Sequence, residues 1–157
     1  KRQIENVHTK EVSTEFGEFR LDVWRDVIFD EHHFSLTKGS PEKVDVPMVR
    51  VQTQSVLQDT LGIDEIGKKW SIRKSLQKIS EVGTGVFVLI NHRDAKTYWL
   101  SSLKDENIEP KRNRRVIGIG SQILRSLGLS RINVLGTPTK YSGLSGFNIE
   151  IEGFIDE

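Results

Sequence analysis

A chain of 157 residues without cysteine excludes a disulfide scaffold and any thiolate-held metal site, and its length favours one domain that can bury a core without such staples. Lysine and arginine number 23 against 22 aspartate and glutamate, so the overall balance points to neither nucleic acid nor a membrane surface. No apolar run approaches the ~20 residues of a membrane span, and the charged first residues lack a signal-peptide pattern.

Taken in chain order, residues 1–11 are polar and without periodicity and predict a linker. The opening Lys1, in place of a methionine, is expected of a piece of a longer polypeptide. Phe19, Leu21 and Val23 alternate within Phe16–Arg25 and predict a strand. A turn near Asp30 and a second strand over His32–Thr37 follow. Gly39, Ser40 and Pro41 mark a loop, and Pro47–Thr53 is β-rich again. The first third thus reads as mostly antiparallel β. The pattern then changes: Ile72, Leu76 and Ile79 fall at helical spacing within Lys69–Val82, and Gly83 stands where a helix C-terminus favours glycine. Val86–Ile90 is a continuous apolar run, as in a strand buried on both faces. Residues 94–116 are polar and irregular, with a short helix near Tyr98–Leu103. Ile119, Ile123 and Leu127 mark a second helix ended by Gly128. Arg131–Leu135 and Asn148–Ile155 complete the set as strands. The expectation is a mixed α+β fold, with an antiparallel β N-terminal part followed by a βαβ-like half.

Several segments occur together in a fixed order: Thr14-Glu15-Phe16-Gly17-Glu18-Phe19, Val46-Pro47-Met48-Val49-Arg50-Val51, and Leu76 to Val86 with its Ser80-Glu81-Val82-Gly83-Thr84-Gly85 centre. They continue with Ile117-Gly118-Ile119-Gly120-Ser121-Gln122-Ile123-Leu124, Leu127-Gly128-Leu129-Ser130-Arg131-Ile132, and Gly143-Leu144-Ser145-Gly146-Phe147. In this order the chain, from about Val12 to its end, resembles the GTP cyclohydrolase II family, whose members open the guanine ring of GTP at the start of riboflavin synthesis. The resemblance implies a GTP cyclohydrolase II-like domain over residues 12–157, preceded by a linker over residues 1–11.

The same resemblance shows what has changed. The family holds a catalytic zinc with three cysteines spaced C-x10-C-x-C. Here the equivalent positions are Ser55, Ile66 and Lys68. A hydroxyl, a hydrocarbon and a competing cation do not make a zinc site, which needs about three protein ligands. The four histidines offer no replacement: His32 and His33 are neighbours in a strand and point to opposite faces, while His8 and His92 stand apart. The family's Gln-Glu-Gly-Arg becomes His92-Arg93-Asp94-Ala95, so an acidic residue that would contact guanine is replaced by Arg93. Its catalytic Asp-x-Arg becomes Asn113-Arg114-Arg115, leaving Arg115 and Asn113 as vestiges. Arg50, Arg115 and Lys140 match cations that could hold a triphosphate, and arginine suits phosphate because its planar fork donates two hydrogen bonds. Each one taken singly reads more simply as a surface charge or a structural salt bridge. The basic run Lys111-Arg112-Asn113-Arg114-Arg115 lacks the interleaved aromatics of a base-stacking surface and predicts a solvated loop, not a nucleic-acid site. Gly118-x-Gly120 follows that run instead of a strand, so it is weak as a dinucleotide fingerprint.

The resemblance further implies a parent polypeptide in which this domain follows 3,4-dihydroxy-2-butanone 4-phosphate synthase, together with a homodimer and a cytoplasmic location. No cofactor is expected in this domain, since the family zinc site is lost, and a magnesium ion would belong to the missing synthase domain. Neither nucleic acid nor membrane is an expected partner. Three roles stay open: a structural or dimerising domain for the attached synthase, a regulatory module that binds a nucleotide or phosphate, and an enzyme with metal-free chemistry.

Overall fold

A computed structural model describes residues 3–63, 70–91, 100, 103–104, 110–136 and 148–156, with side chains of 110–114 outside the description. One seven-stranded sheet runs through them in the order β1-β2-β3-β5-β4-β6-β7. Its strands are β1 (Ile4–Thr14), β2 (Gly17–Asp26), β3 (Glu31–Lys38), β4 (Met48–Thr53), β5 (Gly85–Ile90), β6 (Arg131–Leu135) and β7 (Glu150–Ile155). Antiparallel pairing joins β1 through β3 to β5. From β5 the pairing through β4 and β6 to β7 is parallel. This is an α+β arrangement: a mixed sheet with few helices.

Helix α1 (Ile72–Val82) and helix α2 (Pro110–Ser126) stand beside this sheet. Ser71 caps α1 by accepting the Lys74 N–H, and Gly83 ends it in a left-handed conformation, φ 91°, for which a glycine carries no Cβ penalty. Alternation along the strands divides the core in two. Val49, Val86, Val88 and Ile90 pack with Ile119, Ile123 and Leu124 of α2. Phe19, Phe87 and Leu135 pack with Leu76 and Ile79 of α1 and with Trp70. Each side chain on β4 or β5 therefore belongs to one helix or the other, which fixes where the candidate site residues point.

Two expectations are corrected. A polar linker is expected over residues 1–11, but Ile4–Thr14 forms an edge strand paired with β2 along its length. An edge strand with both faces largely exposed needs no apolar alternation, so its polar sequence carries no strand signal. A solvated loop is expected at the basic run, with Gly118-x-Gly120 before a helix. Both lie within α2, which begins at Pro110. Proline suits a first helical position, and lysine and arginine are good helix formers. Most of the short helix expected at Tyr98–Leu103 lies outside the described residues.

Candidate functional site

Strand β4 carries the first two positions of interest. Arg50 is buried on the α1 side of the sheet. Its Nε donates to Gln52 Oε1 at 2.9 Å, one terminal nitrogen to the Leu135 carbonyl at 3.0 Å, and the other to the Trp70 carbonyl at 3.0 Å. The guanidinium thus ties β4 to the end of β6 and to the approach of α1. Trp70 is itself anchored by its Nε1–H donating to the Ile155 carbonyl at 3.0 Å. A cation deep among carbonyls is held by their dipoles, and its planar fork fits three acceptors at once.

Ser55 follows the last residues of β4. Its Oγ accepts the Gln58 N–H at 3.2 Å, its own N–H donates to Asp59 Oδ2 at 2.8 Å, and its carbonyl accepts the Asp59 N–H at 2.7 Å. The result is a reciprocal cap at the start of a single wide turn, Val56–Thr60, built on the logic of a capping box. The hydroxyl that the family resemblance assigns to the first zinc-ligand position is occupied in organising its own loop. Ile66 and Lys68 lie outside the described residues. Serine, isoleucine and lysine do not fit a zinc ion by donor chemistry, so this donor set supports no reaction step through that metal.

Arg115 stands on the opposite side of the sheet. One terminal nitrogen of its guanidinium is paired with Glu31 Oε1, and the guanidinium carbon lies 3.9 Å from the centre of the Phe29 ring, a cation–π arrangement. The Glu31 side chain is only 3% exposed. His33, fully buried, places Nε2 3.7 Å from Glu31 Oε1, while its Nδ1 accepts the Asn91 N–H at 2.9 Å. Asp26 lies alongside, with Oδ1 accepting the N–H groups of Ile28 and Phe29 and Oδ2 accepting from Gln3 Nε2 at 3.0 Å.

Asp26, Glu31 and His33 bring ligand-type atoms within 4.8 Å of one another. Their bonding argues against a metal. A neutral imidazole that accepts at Nδ1 carries its proton on Nε2, so it turns a donor, not a lone pair, toward Glu31. Glu31 already balances Arg115, and both Asp26 oxygens accept hydrogen bonds. This is a buried polar network that fastens α2 to the β2–β3 hairpin. Sequence reasoning missed it. The one available signal is a histidine two positions after a glutamate in one strand, which places the two on one face.

The structure therefore does not bring Arg50 and Arg115 together. Arg50 points to the α1 side and Arg115 lies on the α2 side, each engaged by groups of the chain itself. Lys140 lies outside the described residues, as do the Asn113 side chain, His92 and Arg93. His32 is exposed where His33 is buried, as their adjacency requires, and His8 lies exposed on β1. Beneath α2 a small apolar cavity is lined by Val49, Val51, Gly120, Leu124 and Val134. It offers no charged group to a ligand. Among the described residues no helix is long and apolar enough to cross a membrane.

The chain is 29% identical over 160 residues to a 3,4-dihydroxy-2-butanone 4-phosphate synthase of Pseudomonas aeruginosa, covering 98% of this chain and 44% of that one. It is 30% identical over 156 residues to a riboflavin biosynthesis protein RibBA of Cytophaga hutchinsonii, covering 90% of this chain and 38% of the relative. Among solved structures it resembles RibBX, a two-domain 3,4-dihydroxy-2-butanone 4-phosphate synthase from A. baumannii, with a TM-score of 0.67 and 25% identity over 100% of this chain and 41% of that one. The chain thus spans less than half the length of these relatives. The GTP cyclohydrolase II profile matches residues 5–156, nearly the whole chain and every strand and helix described above, so this chain belongs to the GTP cyclohydrolase II family of riboflavin biosynthesis.

Proposed function

We propose that this is a GTP cyclohydrolase II-type domain that has given up the family's metal chemistry and serves a 3,4-dihydroxy-2-butanone 4-phosphate synthase joined to it in one polypeptide. The observation that carries the reading is the absence of any cysteine, with Ser55 capping a loop where the first zinc ligand would stand. Two further losses support it: Arg93 replaces the acidic residue that would contact guanine, and Asn113 replaces the catalytic carboxylate. An enzyme stripped of several cooperating groups keeps only what binding alone contributes. The role that remains is structural. The domain holds two copies of the parent polypeptide together in a closed two-fold dimer, the commonest oligomer symmetry.

The binding alternative is weaker. It needs Arg50, Arg115 and Lys140 to converge on one anion, whereas Arg50 and Arg115 occupy opposite sides of the sheet and are engaged by Leu135, Trp70 and Glu31. Metal-free catalysis would need a fresh acid–base set, and the buried Asp26–Glu31–His33 group is bound up in holding the fold. Light scattering of the 157-residue chain at micromolar concentration tests the role: a dimer is expected, and a strict monomer would remove the dimerising function. Calorimetry with GTP separates the alternatives, since saturable binding would favour the regulatory module.

A further inference from the structure

Hairpin tips are normally built from glycine, asparagine, aspartate, proline and serine. The tip between β2 and β3 is Val27-Ile28-Phe29, exposed by 39%, 66% and 45% respectively. Three consecutive large apolar side chains thus leave much of their surface in water, where it adds nothing to the stability of this chain. The turn that presents them is nevertheless firmly built. Buried Asp26 accepts the N–H groups of Ile28 and Phe29 at 2.9 and 3.1 Å, and its carbonyl accepts the Asp30 N–H at 2.8 Å. Asp30 adopts φ 54°, a conformation aspartate tolerates better than most residues, and its carboxylate accepts from Arg25 Nε at 3.0 Å. Arg115 braces the Phe29 ring from α2. An apolar centre held in one conformation, with an ion-paired polar rim, has the form of an interface anchor, because little ordering remains to be done on binding.

The tip also has a defined neighbour. The Val27 N–H donates to the Gln3 carbonyl at 2.9 Å, so the three side chains sit beside the point where the chain enters β1. A domain joined ahead of Gln3 would emerge next to them. We propose that Val27-Ile28-Phe29 is the docking surface for the synthase domain joined to this one, an inference that rests on the reading above that such a domain precedes residue 1. The relatives' length, more than twice the matched region, supplies the occupant, and the start of β1 supplies its position.

Hydroxyl-radical footprinting tests it directly, because it labels side chains. The natural polypeptide containing this chain is compared with the 157-residue chain alone. Labelling of Ile28 and Phe29 is expected to fall several-fold in the longer polypeptide. Ile28→Asp is expected to restore the labelling of Phe29 there, while leaving the melting temperature of the 157-residue chain unchanged. Equal labelling in both proteins would overturn the docking surface. Labelling that falls in the 157-residue chain alone as its concentration rises would overturn it in favour of contact between two copies. The underlying reading is checked separately, by the mass of the natural polypeptide and its formation of a four-carbon phosphate from ribulose 5-phosphate. A polypeptide without synthase activity overturns both inferences, whereas an active synthase with equal labelling overturns the docking alone.

Discussion

Ser55 holds its loop through a hydroxyl and a backbone N–H that are answered within four residues, by Gln58 and Asp59. The segment is organised by this cap within the chain itself. Ser55→Ala is expected to cost about 1 kcal/mol, the usual worth of an N-terminal cap, read by urea denaturation. Ser55→Cys is expected to bind no stoichiometric zinc, since one thiolate is far short of three ligands. Arg115 makes a sharper case. Removing one partner of a buried ion pair costs about 3–5 kcal/mol, because the other charge stays behind in low dielectric. Arg115→Ala should therefore destabilise the chain by about 3 kcal/mol, while Arg115→Met combined with Glu31→Gln should recover more than half of that loss. Equal losses for the single and double variants would mean that the pair is not what fastens α2 to the hairpin. The family resemblance assigns Ser55, Ile66 and Lys68 to the ligand positions and Asn113 and Arg115 to the vestigial ones, and of these the structure describes the side chains of Ser55 and Arg115. The resemblance could not show that Arg50 and Arg115 face apart, because their direction depends on strand alternation and on which helix covers which face.

The elements most legible in the sequence are those with one buried face. α1 repeats because only one side of it meets the core, and its bounds and those of β2 lie within a few residues of those the pattern predicts; β2 itself buries Phe19 on the α1 side and Asp22, Trp24 and Asp26 on the other, so Leu21 and Val23 are only half-buried. β1 escaped because it is an edge strand with little buried on either side. Its charges and its bulge between Asn6 and His8 are the features that discourage edge-to-edge pairing. The start of α2 escaped for another reason. The basic run reads as a loop with Gly118-x-Gly120 ahead of a helix, yet a Cβ added at Gly120 would meet Val51 Cγ1 at 3.0 Å. The glycine is there so that the helix can lie close against β4. Gly39 makes the equivalent contact in a turn: its φ is 66°, and a Cβ there would stand 2.7 Å from the Gly83 carbonyl oxygen at the end of α1. Gly39→Ala combines a left-handed backbone with a clash against main chain, each costing on the order of 1–3 kcal/mol. We expect its thermal midpoint to fall by several degrees, and an unchanged midpoint would show that this turn can move away from α1 freely.

At the scale of the whole molecule, two apolar layers on either side of one sheet replace any need for a metal staple. Small zinc-dependent domains unfold without their ion, since the metal supplies roughly 10–16 kcal/mol of folding energy. Here Val49, Val86, Val88, Ile119 and Ile123 on one side, and Phe19, Ile79, Phe87 and Leu135 on the other, are almost fully buried. A cooperative melt is expected in excess chelator, at a midpoint unmoved by added zinc. On the reading proposed above, the fold is kept while the donor set for the family reaction is gone, the combination expected of a domain retained for what it holds together. The most direct test of that claim is turnover of GTP by the 157-residue chain supplied with equimolar zinc. No ring-opened pyrimidine above a buffer control is expected; formation of that product at a rate abolished by chelator would contradict the account.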